Sequence, residues 1–234
     1  LEAHLRTERA HAFVVTEADL QKIWTSLEKD IGTVSAEISF NDSIERKVES
    51  FNDLMSFENS INKKIKRIEI YGRSDTNNNR ARVLFSDSKY RPIEITATGE
   101  DKAITSFGDN INEIIDGLKP WYSIISKLDF FYIIGFVCWF AFMLLDIITP
   151  DTTNSIAIEL AHGIKMILAL LGIFAAIALT IWGLNRLRSV YFPFASFAIG
   201  QGLERHRVQE NVRWGVVVAF IVSLSASTVF AVLT

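Results

Sequence analysis

Three long apolar runs in the second half of the chain limit its folding more than any other feature: "FFYIIGFVCWFAFMLLDII", "MILALLGIFAAIALTIWGL" and "WGVVVAFIVSLSASTVFAVLT". A helix needs about 20 apolar residues to cross a hydrocarbon core, and each run is near that length. The second and third are apolar on every face. In water they would need a protein shell that the remainder of the chain is too small to supply. The sequence therefore predicts an all-α membrane domain over 123–234, with transmembrane helices at about 129–149, 164–184 and 214–234. The hydrophobic fraction of 49% averages over this block and a charged first half.

Orientation follows from Lys and Arg near the span ends. Lys119 and Lys127 precede the first run. Arg186, Arg188, Arg205, Arg207 and Arg213 lie between the second and third. The connector between the first and second carries Asp151 and Glu159, with Lys165 at its far edge. The basic side is read as cytoplasmic, in a bacterial inner membrane, with the amino terminus inside and the carboxyl terminus outside. Trp121, Tyr122, Trp182, Tyr191 and Trp214 fall where interfacial anchors belong. Residues 1–16 are charged and lack the apolar core of a signal peptide. The single cysteine, Cys138, excludes a disulfide framework within the chain.

Residues 1–122 read as an α+β cytosolic domain, an antiparallel sheet with helices. Thr16 and Asp19 form a helix-start signature ahead of Leu20, Ile23, Trp24 and Leu27, which share one face. "SAEISF" (35–40), "KIKRIEIYG" (64–72), "RARVLFS" (80–86) and "PIEITATG" (92–99) read as strands, with "VESFNDLMSF" as a short helix. The last helix, "DKAITSFGDNINEIIDGLK", presents Ile104, Phe107, Ile111, Ile114, Ile115 and Leu118 to a core. Pro120 ends it, and the first apolar run begins about eight residues further on.

Charge is segregated. Residues 1–62 hold 12 acids and 6 bases, whereas 63–91 hold 9 bases and 3 acids. Lys64, Lys66, Arg67, Arg73, Arg80, Arg82 and Arg91, together with Arg205 and Arg207 beyond the second run, are the candidate contacts for an anionic small ligand or lipid headgroups. The competing reading is a solvated sheet face with Glu69 or Glu94 paired across strands to Arg82 or Arg91. Nucleic acid is not expected as a partner, because aromatic residues are sparse among these cations.

Catalytic constellations are missing from the sequence. His4 and His11 lie in what reads as a flexible amino terminus, and no Cys/His cluster suits zinc. The "GQG" at 200–202 has neither the Lys-Ser/Thr nor the preceding strand of a phosphate loop. No cofactor or metal is expected. Asp146 and Lys165 flank the outer connector and pair, snorkel or attract cations there. Ser223 and Ser227, one helical turn apart, offer a packing or pore-lining face.

The stretch "YFPFASFAIGQGLERHR" stands apart. Its uncharged part is too short to span, and Pro193, Gly200 and Gly202 interrupt a regular helix. It reads as an interfacial elbow over 190–203, with Phe192, Phe194 and Phe197 in the headgroup boundary. Ser196/Gly200 and Ala198/Gly202 read as close-packing notches one turn apart. A basic helix over 203–213 then runs into the last span. The elbow is the candidate for coupling the cytosolic domain to that span.

Three thin spans enclose no aqueous path, so transport requires a homo-oligomer. The expected function is a homo-oligomeric, pore-type or membrane-perturbing effector controlled by its cytosolic domain. In layout alone it resembles the small bacterial membrane effectors of anti-phage systems. The alternatives are a membrane-anchored adaptor recruiting a cytosolic protein, and a lipid-acting enzyme using Arg205, His206 and Arg207.

Overall fold

The computed structural model describes residues 1–148 and 160–233, with backbone only at 141–148, 160–170, 229 and 231–233. The elements in chain order are β1 (Glu2–Arg9), β2 (Phe13–Thr16), α1 (Glu17–Asp30), β3 (Thr33–Phe40), β4 (Glu45–Val48), α2 (Phe51–Met55), β5 (Ile65–Arg73), β6 (Arg80–Ser86), β7 (Ile93–Glu100), α3 (Asp101–Gly117), α4 (Ser123–Lys127), α5 (Phe130–Ile148), α6 (Leu160–Tyr191), β8 (Ala195–Ala198) and α7 (Gln201–Leu233). They form two compact units, Leu1–Ser126 with Tyr191–Thr234, and Lys127–Val190.

The first unit is α+β, as the sequence predicts. α1 starts at a reciprocal cap. Thr16 Oγ1 accepts from the Asp19 amide at 3.3 Å, and Asp19 Oδ2 accepts from the Thr16 amide at 3.1 Å. Four backbone donors are left over at any helix start, and this exchange satisfies one of them while tying down the entering strand. The strands form an antiparallel six-stranded sheet in the order β1-β7-β6-β5-β3-β4. Strict alternation puts Ile38, Ile70, Val83, Phe85, Ile95 and Ala97 on one face. Leu20, Ile23 and Leu27 of α1 and Ile104, Phe107, Ile111 and Ile115 of α3 complete the core against that face. Burying each large apolar side chain contributes about 1.5–3 kcal/mol.

The first residues correct one expectation. Residues 2–9 are not a flexible arm but the edge strand β1, paired antiparallel with β7 from Glu2↔Glu100 to Arg9↔Ile93. Only Ala3 and Leu5 pack against the core, so the strand has almost no hydrophobic alternation to announce it.

A larger correction concerns 191–203. This segment is not an exposed elbow. It folds into the α+β unit as β8, which pairs in parallel with β2 in the register Phe13↔Ala195 to Thr16↔Ala198. Phe194, Phe197, Ala198 and Ile199 are buried, and Phe197 meets the Phe13 ring edge-on at 5.5 Å. Phe197 and Ile199 belong to the main core. The reason is hydrophobic: an aromatic-rich strand finds a dry partner in β2, so its side chains leave water there. Being extended rather than helical, the strand leaves no turn-spaced notches between Ser196 and Gly200 or Ala198 and Gly202.

The second unit contains α5 and most of α6. The Phe130 amide donates to Asn185 Oδ1 at 3.3 Å, and Asn185 Nδ2 donates to Asp129 Oδ1 at 3.3 Å. These bonds tie the start of α5 to the later part of α6. Large apolar side chains project outward from both, among them Phe131, Phe136, Trp139, Ile173, Phe174 and Leu179.

Among the described residues, two helical stretches are long and apolar enough to cross a membrane: Leu171–Tyr191 of α6 and Gln201–Thr228 of α7. The described side chains of α5 contribute a shorter apolar helix, Phe130–Phe140. The chain is thus an antiparallel-sheet α+β region followed by apolar carboxyl-terminal helices.

Candidate functional site

Two places concentrate chemistry. The first is the polar face of the sheet, opposite the core. Strand register sorts its side chains into rows that cross the strands. One row runs Lys47, Glu37, Glu69, Leu84, Glu94 and Glu8. The next runs Ser35, Tyr71, Arg82, Thr96 and Arg6. A third runs Thr33, Arg73, Arg80, Thr98 and His4.

The first two rows neutralise each other. Glu69, with only 4% of its side chain exposed, is gripped by Arg82 and by Arg67 from its own strand. Arg82 also reaches Glu94 at 3.9 Å, while Arg6 pairs with Glu8 at 2.8 Å and Glu94 at 3.7 Å. Burial pushes the Glu69 carboxyl up, but the hydrogen bonds from Arg82 and Tyr71 and the two guanidinium charges outweigh it, and the net shift is downward. The same carboxylate raises Arg82, against the effect of burial. Tyr71 is raised by burial first and by Glu69 second.

The third row is different. Arg73 and Arg80 are exposed register partners, and neither makes an ion pair among the described residues. Beside them His4 Nδ1 lies 2.8 Å from Thr98 Oγ1. Arg73, Arg80, Arg82, Tyr71, Thr96 and Thr98 border a shallow depression of about 270 Å³.

The second place is the junction where β8 leads into α7. The connector is fixed at several points. The Phe13 amide donates to the Phe194 carbonyl at 3.0 Å, and the Gln201 amide to the Glu58 carbonyl at 2.7 Å. Asn59 Nδ2 donates to the Phe197 carbonyl at 2.7 Å, and its Oδ1 accepts from the Ile65 amide at 3.0 Å. Gly200 has φ +50°, and a Cβ there would stand 2.6 Å from the Glu58 carbonyl oxygen. At Gly202 a Cβ would stand 2.2 Å from the Phe197 carbonyl oxygen. Both positions therefore require glycine, one for backbone conformation and one for space.

About three helix turns into α7 lies Arg213, buried to 2% exposure. Its guanidinium stacks on the ring of Tyr122 at 4.3 Å and donates to the Tyr191 carbonyl at 2.7 Å. Phe192 packs edge-on against the other side of this cluster, 5.8 Å from Tyr122. Trp121 and Trp214 rings lie 6.0 Å apart. Tyr122 is consequently not an interfacial anchor but a buried ring. Burial raises its hydroxyl, outweighing the lowering effect of Arg213.

The predicted residues separate accordingly. Lys66 pairs with Asp87 at 2.6 Å, and Lys64 and Arg91 are exposed outside the strands, so neither joins the third row. Arg207 is exposed with Glu204 at 3.9 Å, and Arg205 is half-buried on α7. Phe194, Phe197, Gly200 and Gly202 meet in the junction, with Phe192 beside Tyr122. Pro193 ends the helical stretch before β8. Ser223 and Ser227 are exposed on α7, one turn apart, while Ser225 and Thr228 return their hydroxyls to Ile221 and Leu224 carbonyls. The side chains of Asp146 and Lys165 lie outside the described residues, as does the connector at 149–159. Of the residues that hold the junction together, the sequence gives Arg213 only a role in orientation and singles out Asn59 for nothing. A lone arginine ahead of an apolar run looks like a boundary charge, and an isolated asparagine carries no pattern.

Among the described residues, no three His, Cys, Asp or Glu side chains form a metal-binding group. A groove between α1 and α3, about 540 Å³, is lined by Lys22, Ser26, Lys29, Asn110 and Glu113 among others. Compared with protein-family models, characterised proteins and solved structures, the chain matches none.

Proposed function

We propose that this chain is a multi-pass integral membrane protein that acts as a homo-oligomeric, pore-type or membrane-perturbing effector, with its α+β domain in the cytoplasm controlling the apolar helices. The observation that supports this reading is the continuity of α7. It begins inside the domain at Gln201, is gripped there through Gly202 and Arg213, and continues without a break to Leu233. An unbroken helix transmits tilt and rotation along its length, because its backbone hydrogen bonds resist local bending. A change at β8 or in the Tyr122–Arg213 pair therefore moves the apolar half of α7. The two helical stretches long enough to cross a membrane, even with α5 added as a third span, leave no room for a channel in one subunit, which makes oligomers part of the proposal. The bacterial inner membrane and the inside position of the amino terminus rest on the distribution of Lys and Arg.

Reconstitution of the full chain in liposomes tests it. The expected result is a cross-linkable oligomer that releases ions or a small dye, with release altered by substitutions at Phe197 or Arg213. A strictly monomeric protein that leaves vesicles tight would overturn it. An adaptor role would instead survive replacement of α5, α6 and the part of α7 beyond Trp214 by an unrelated anchor, and a pore would not.

A further inference from the structure

Beyond the membrane role, we infer that the third row of the sheet is a binding site for a phosphate-bearing anion, held by Arg73 and Arg80. The argument begins with charge accounting on one face. The acids of the first row that reach the second row are engaged there: Glu69 by Arg82, Glu94 by Arg82 and Arg6, Glu8 by Arg6, and Glu37 by the Tyr71 hydroxyl. None of them pairs with the row beyond, where Asp75 accepts from the Thr33 hydroxyl at 3.3 Å and, among the described residues, no ion pair reaches Arg73 or Arg80. Yet that row sets Arg73 directly opposite Arg80 on adjacent strands. Directly opposed residues have Cα atoms about 4.5–5.5 Å apart, and like charges there destabilise a sheet. A bound anion removes that repulsion and converts it into attraction.

The surroundings suit phosphate in particular. Two guanidinium forks can each present parallel N–H donors to phosphate oxygens. Thr96 and Thr98 supply hydroxyls on the next strand, and His4 adds a ring nitrogen beside Thr98. Arg82 forms the back wall, oriented by Glu69, and its positive charge is already compensated. The floor is backbone at Gly72, Ala81 and Ala97, so the ligand approaches the sheet closely. The depression holds a small head group and is too shallow to enclose a large molecule. Both a soluble phosphate compound and a phospholipid headgroup present this chemistry.

Titration calorimetry on the full chain in nanodiscs of neutral lipid separates the possibilities. The probes are inorganic pyrophosphate and, separately, dihexanoyl phosphatidic acid, each against sulfate at equal ionic strength. Wild-type protein is expected to bind at least one phosphate probe in preference to sulfate. R73E/R80E is expected to weaken binding by about tenfold or more, because two charge-assisted contacts become repulsive. Lys at both positions keeps the charge without the fork and should give an intermediate loss. Binding of pyrophosphate identifies a soluble source, and binding of the lipid probe alone identifies a headgroup. Absence of binding by either probe, or binding unchanged in R73E/R80E, overturns the inference. Both side chains are exposed, and circular dichroism of the variants verifies that the fold is kept. Failure here leaves the pore proposal standing, since vesicle leakage is measured without either probe.

Discussion

The guanidinium of Arg213 lies 4.3 Å above the ring of Tyr122 while donating to the Tyr191 carbonyl at 2.7 Å. One side chain thus binds three parts of the chain: the segment after α3, the end of α6 and the body of α7. A desolvated cation over an aromatic face contributes about 2 kcal/mol, and a hydrogen bond from a charged donor about 1.5–3 kcal/mol. Arg213→Ala is therefore expected to destabilise the α+β unit by roughly 2–4 kcal/mol. Tryptophan-monitored unfolding in detergent measures it. Limited proteolysis of the variant should show cleavage between 192 and 200, which the native contacts suppress.

Phe197→Ala distinguishes the folded strand from a membrane-surface elbow. As a core residue beside Phe13, it should cost about 3–5 kcal/mol when truncated, through lost transfer energy and the cavity left behind. A headgroup-facing phenylalanine would leave domain stability unchanged and lower only membrane affinity. Denaturant unfolding of the full chain decides between these outcomes.

Gly200→Ala should displace β8. The residue has φ +50°, and the new Cβ would collide with the Glu58 carbonyl oxygen at 2.6 Å. The left-handed backbone alone costs a non-glycine residue about 1–2 kcal/mol. Hydrogen exchange should accelerate at the amides of Phe13 and Gln201, whose bonds to Phe194 and Glu58 depend on this turn. Unchanged protection at both amides would mean that the turn is not under constraint.

Acid should weaken the sheet through Glu69. Its folded-state carboxyl lies below the ordinary value of 4.5, so the stability it contributes is present above that pH and is lost as pH falls through the folded value. Glu69→Gln should remove this part of the acid dependence. At neutral pH it should cost about 1–3 kcal/mol, because two arginines lose their buried acceptor. Unfolding midpoints measured across the acidic range provide the comparison.

Much of the architecture is legible in the sequence. The Thr16–Asp19 cap, the α3 face and strands β5 to β7 all announced themselves, because periodicity and capping are local. The pairing of Glu69 and Glu94 with Arg82 was also foreseeable, since a short meander leaves few registers. β1 was not, because a polar edge strand has no alternating apolar face. β8 was hidden by distance. Phe194 and Phe197 lie far along the chain from Phe13, and an aromatic cluster between two apolar runs fits a membrane surface equally well by composition.

A charged α+β half and long apolar helices follow from local patterning, since hydropathy and periodicity act within short windows. Tertiary structure alone decided where each charge and aromatic ring is used. Among the described residues, register left Arg73 and Arg80 without ion pairs while Glu69 took Arg82, and a parallel pairing with β2 drew 195–198 into the core. Both results depend on which distant strand lies alongside, and that choice is made by burial and hydrogen bonding across the whole fold.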